Sequence, residues 1–328
     1  MHNSSYRSLH TLIDKALFAT GLLFLVIHSF YPINFKTQVF IFLSTILLAG
    51  IPHGALDHLV EKKNKHIDNH IFSWLSFLSG YFFQMIIFGI IWFFYPMIAL
   101  IIFIGLSALH FGETDLRKVN GQAGPAVSYM QFCYGIFILL ILLLSHFEEV
   151  KLILIQFPEL QNSDYLDFIN RFSKELIFGS AIIAASGIFI YFLKTGHDSQ
   201  DLISFSSFVK MILILLLLIK LPLMISFAFY FGLWHSLHSL ENIRYHLSQK
   251  EDQQLSWIVL IGKSIPLTIA ALAFIGLIMY LMRFNENTPS FILQIFIGIA
   301  ILTAPHLQVM GKMYQKISLS SLQAKNKA

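Results

Sequence analysis

Polarity along the chain changes in long blocks. Apolar runs of about twenty residues, enough to cross a hydrocarbon core, alternate with short segments rich in Lys, Asp, Asn and Pro. They predict helices near 14–32, 37–58, 71–95, 97–113, 125–146, 174–193, 204–220, 222–241, 256–282 and 290–311. The fold expected is an all-α polytopic membrane helix bundle of about ten transmembrane helices, forming a single integral membrane domain over 1–328. The apolar stretch from Phe205 to Leu240 is too long for one span, so Lys220 and Pro222 mark a break between the seventh and eighth helices. Tyr95-Pro96 divides the third from the fourth, because proline lacks the donor that would continue the ladder.

Composition supports the membrane reading. Of 328 residues, 56% are hydrophobic and 12% charged, against roughly 25% charged in a soluble domain. Charge then sets orientation. With ten helices, fourteen Lys and Arg fall on the side holding both termini and six on the other, with Lys210 and Lys263 inside spans. The positive-inside rule therefore puts both termini in the cytoplasm and the chain in the cell inner (plasma) membrane. The run from Ala16 to Tyr31 follows Arg7 and Lys15 without a small-residue cleavage site, and is read as an anchor. The segment from Glu148 to Ser173 reads as a short amphipathic cap on the outer surface. No basic stripe interleaves with aromatics, so nucleic acid is not an expected partner; the bilayer is. Cys133 stands alone, which excludes an intrachain disulfide and a Cys-based zinc or iron-sulfur site.

Histidine is the residue that the apolar blocks do not explain. His53, His110, His235 with His238, and His306 fall late in the second, fourth, eighth and tenth helices, all of which run from outside to inside. They share a depth near the cytoplasmic face. Polar groups at membrane depth need partners, and neutral imidazoles bind a divalent ion without bringing negative charge into a low dielectric. His235 and His238, three apart, share a helix face. His53, His110, His235 and His238 are thus the candidate metal ligands, with His58 and His306 as second candidates. Asp57 and Glu113, close behind His53 and His110, are candidate catalytic groups that orient imidazoles or handle protons. Pro52 and Gly54 shape the helix around His53, and Lys210 and Lys263 are read as snorkelling.

The motifs Gly50-Ile51-Pro52-His53-Gly54-Ala55-Leu56-Asp57-His58, Ala108-Leu109-His110-Phe111-Gly112-Glu113, Trp234-His235-Ser236-Leu237-His238 and Pro305-His306 resemble the Brp/Blh family of membrane-bound beta-carotene 15,15'-dioxygenases. The resemblance runs from the second helix to the last. One departure is visible: in the family the paired histidines of the eighth helix are often four apart, whereas here Ser239 stands at that position, one after His238. The resemblance implies Fe(2+), beta-carotene and dioxygen as substrates, and cleavage of the central double bond into two all-trans-retinal. Retinal would pass to the bilayer or to a rhodopsin.

Three other classes compete. A membrane di-iron desaturase or hydroxylase needs about eight ligands with His-His pairs, and this chain has no His-His. A haem electron carrier would use His pairs as axial ligands. A proton- or metal-coupled transporter would need polar residues through the whole thickness, and few are found in the outer half.

Overall fold

With no water in the bilayer core to bond to, an apolar run must satisfy its backbone internally, and these runs fold as helices. The computed structural model describes residues 2–116, 124–161, 164–195, 205–248, 255–282 and 288–325, and contains no strand among them. The helices are α1 (His2–Phe30), α2 (Phe35–Ile67), α3 (Trp74–Phe94), α4 (Pro96–Asp115), α5 (Pro125–Leu144), α6 (Phe147–Leu154), α7 (Asp164–Arg171), α8 (Ser173–Thr195), α9 (Phe205–Lys220), α10 (223–248), α11 (Trp257–Leu281) and α12 (Thr288–Lys325). Among the described residues, eight of these, α1 to α5, α8, α11 and α12, are long and apolar enough to cross a membrane. The chain is an all-α polytopic bundle. Its outer faces carry the apolar side chains, with Leu75, Phe93 and Ile258 each more than four-fifths exposed.

The break expected near Pro222 is present, between α9 and α10. The segment expected as an outer cap forms two short helices, α6 and α7, tied by Lys151 to Asp167 at 2.6 Å and by Asn170 to Glu148 at 2.6 Å. Three helices outrun their predicted ends: α2 continues to Ile67 rather than stopping at 58, α10 continues to Ser248 rather than 241, and α12 continues to Lys325 rather than 311. These extensions are less apolar but not unpartnered. Val60 of α2, Leu240 and Ile243 of α10, and Met310, Met313 and Tyr314 of α12 form a second buried cluster beyond the main core. Packing against other helices, not lipid, prolongs them.

Two features bring backbones unusually close. A β-carbon on Gly112 of α4 would collide with the carbonyl of Gln131 on α5, and one on Gly135 of α5 would collide with the carbonyl of Ala108 on α4. Small residues let transmembrane helices meet in this way, and the contact fixes the stretch that carries His110. The second feature is a pair of π-helical segments, Ile46–Gly50 in α2 and Ala228–His235 in α10. They touch where Gly232 faces Thr45; a β-carbon there would lie 2.5 Å from the threonine Oγ1. Single-turn π segments are rare and concentrate at functional sites.

Candidate metal centre

Each π segment delivers a histidine. His53 follows Ile46–Gly50 and Pro52, and His235 closes Ala228–His235. The wider turn changes which way subsequent side chains face. α4 contributes His110, and α12 contributes His306 just after Pro305, a second proline inside a helix. The four rings form a closed square. Ring centroids are 5.4 Å apart for His53 and His235, 4.7 Å for His235 and His110, 5.1 Å for His110 and His306, and 5.0 Å for His306 and His53. All four are at least 96% buried.

Their hydrogen bonding is incomplete in a way that points to an ion. Both ring nitrogens of His110, Nδ1 of His235 and Nε2 of His306 are buried with no hydrogen-bond partner. A buried nitrogen left bare costs about 1–3 kcal/mol, so several on one spot call for a ligand. One nitrogen each from His53, His110 and His235 lie within 4.8 Å of one another. Imidazole nitrogens about 2 Å from a shared ion would be roughly 3–4 Å apart, so a small inward rotation would let all three hold it. His306 is preset. Its Nδ1 donates to Asp57 Oδ1 at 2.8 Å, leaving Nε2 as the lone-pair atom, and Tyr81 donates its hydroxyl to Asp57 Oδ2 at 2.9 Å.

Of the other sequence candidates, His238, His58 and Glu113 lie outside the square. His238, expected among the ligands, is turned away from the square: Nδ1 is 2.7 Å from the Trp234 carbonyl and Nε2 is 2.9 Å from Asp14 Oδ1. Spacing showed only that His235 and His238 share a face; the partners decide which way each ring turns. His58 bonds through Nδ1 to the Ala55 carbonyl at 3.1 Å and stacks on Trp74. Asp57 is within the site, as orienter of His306. Glu113 is partly buried and does not line the apolar cavity beside the square.

The square stands at the inner end of that cavity, which has a volume of about 170 Å³ and mostly apolar walls. Phe111 and Phe231 pack their rings on His235. The cavity reaches the outer surface between α3 and α11, where Phe82 and Ala270 are exposed. Both helices lean on α12. The residues missed in sequence are Tyr81, Asp14 and Asp115. Asp14 and Asp115 are ionisable groups in apolar surroundings, a signal available in the chain; nothing distinguishes Tyr81. Asp115 ties α4 to α5 and α10, accepting from Tyr134 at 3.0 Å, Tyr230 at 2.8 Å and Trp234 Nε1 at 3.1 Å.

Comparison with known proteins agrees with this geometry. No solved structure matches the chain. A curated beta-carotene 15,15'-dioxygenase of an uncultured marine bacterium, 66A03, is 25% identical over 292 residues, covering 87% of this chain and 96% of that protein. The family model described as beta-carotene 15,15'-dioxygenase matches residues 44–314, a stretch that contains all four histidines of the square and Asp57. The chain therefore belongs to the beta-carotene 15,15'-dioxygenase family, a family of carotenoid-cleaving enzymes.

Proposed function

We propose that the chain splits beta-carotene at its central 15,15' double bond with dioxygen, giving two all-trans-retinal, and that one Fe(II) is held by His53, His110, His235 and His306. The observation that carries this reading is the square of buried imidazoles, with bare nitrogens, at the inner end of an apolar cavity open to the lipid-facing surface. Bound iron would supply the activation of dioxygen that a polyene needs.

The chain's own residues do the rest. Four neutral imidazoles hold a dication without adding charge to a low-dielectric site. Asp57 fixes the tautomer and direction of His306, and Tyr81 fixes Asp57. Phe111 and Phe231 close over His235 and exclude water from the reacting centre. A cavity of about 150 Å³ holds a benzene ring, so one of about 170 Å³ encloses only part of a C40 hydrocarbon. The remainder must run out between α3 and α11, which serves as the portal for a substrate dissolved in the bilayer. Retinal leaves the same way, into the membrane and to a rhodopsin. The topology that accompanies this reading has ten spans in the plasma membrane, α9 and α10 being the seventh and eighth, with both termini cytoplasmic. The rivals fare worse. Rings about 5 Å apart on all four sides leave room for an ion and not for a porphyrin, and four imidazoles are too few for a histidine-rich di-iron site.

The test is expression in a host that accumulates beta-carotene. Loss of orange colour and appearance of retinal are expected, and His53→Ala, His110→Ala, His235→Ala and His306→Ala should each abolish both while the protein still inserts. Unchanged carotene with folded, iron-loaded protein would sink the proposal.

A further inference from the structure

His238 is held between two acceptors. The Trp234 carbonyl lies 2.7 Å from Nδ1 and the Asp14 carboxylate 2.9 Å from Nε2. With an oxygen partner at each ring nitrogen, His238 presents neither nitrogen to an ion. Asp14 also pairs with Lys210 of α9. Asp14 is 97% buried and Lys210 is partly exposed, at the edge of the bundle. Three ionisable side chains from α1, α9 and α10 thus meet inside apolar surroundings, where such groups are costly.

The cluster grips the turn that carries His235. His238 holds the carbonyl of Trp234, the residue before His235, and its ring lies 4.6 Å from the Trp234 ring. On the other side Trp234 donates to Asp115, and Phe18 of α1 packs on its ring at 5.2 Å. Trp234 is held at its carbonyl, its indole nitrogen and its face, one residue before the end of the π segment. Asp14 lies before the family-matched stretch, which starts at residue 44. The matched region alone does not contain this clamp.

We propose that Asp14, His238 and Lys210 form a charged clamp whose role is to set the orientation of His235 toward the ion. Asp14 and His238 are positioning residues, and His238 is not a ligand. The proposal rests on the reading of His235 as a ligand.

Co(II) is the probe, titrated into the purified full-length protein, with its visible absorption as the signature of ligand geometry. Asp14→Asn keeps the side chain's size and removes the anion; it should weaken Co(II) binding about 10- to 100-fold, the usual effect of losing an orienting partner, and alter the spectrum. Asp14→Glu should restore both. His238→Leu should give the same altered spectrum, and Asp14→Leu with His238→Leu should bind no worse than the poorer single variant, because partners in one unit are not additive. Lys210→Met, at the accessible edge, should give a smaller loss of the same kind. Lower thermal stability with unchanged Co(II) affinity and spectrum in Asp14→Asn and Lys210→Met would overturn the clamp as a positioning device. Loss of all Co(II) in His238→Leu with normal binding in Asp14→Asn would overturn it in favour of ligation by His238. Full Co(II) binding by His235→Ala would overturn the ligand reading itself, and the clamp with it.

Discussion

His306 and His238 show how much one hydrogen-bond partner decides. Both are buried histidines late in helices, and both contact an aspartate. His306 meets Asp57 with one nitrogen and keeps the other bare; His238 has acceptors at both. The first keeps a nitrogen available to an ion, and the second has both nitrogens engaged. Asp57→Asn should therefore lower metal affinity about 10- to 100-fold without emptying the site, and metal content after challenge with a chelator would measure it. His58→Ala should leave metal content unchanged, because that ring stacks on Trp74 away from the square and does not line its cavity. His53, His110 and His235 are legible in the chain because a polar side chain at membrane depth is costly and is kept there by a partner or a function. The choice between His238 and His306 is not: it depends on Asp14, which lies 224 positions from His238.

At the scale of the helix, hydropathy reads what faces lipid and little of what faces protein. It places the apolar runs and the break at Pro222, since these follow from length and proline chemistry. It misses the extensions of α2, α10 and α12, whose partners are other helices. It also misses the π segments, which lie where α2 and α10 touch. The glycine contacts carry a further expectation. Gly135→Leu would force a branched side chain into the carbonyl of Ala108, at a cost of about 1–3 kcal/mol or more. Since Ala108 and His110 share one turn of α4, the variant should both lower the thermal midpoint and reduce metal binding. Gly105→Leu on the same helix, where a β-carbon meets open space, should do neither.

For the whole molecule, the arrangement separates two kinds of access. The four imidazoles are buried, while the cavity that they line opens sideways between α3 and α11. Ala271→Trp, placed on the α11 wall of that opening, should cut carotene cleavage at least about tenfold by filling the path, with one ion per chain still bound. Equal loss of metal and activity would mean that the variant damaged the site rather than the portal. Whether one iron in a four-histidine site splits beta-carotene at its middle comes down to a single quantification on purified protein reconstituted with Fe(II): iron per chain, together with retinal formed per beta-carotene consumed. One iron and two retinal are expected, both lost in His306→Ala. Two irons per chain, longer apocarotenal products, or full activity in His306→Ala would refute the four-histidine centre.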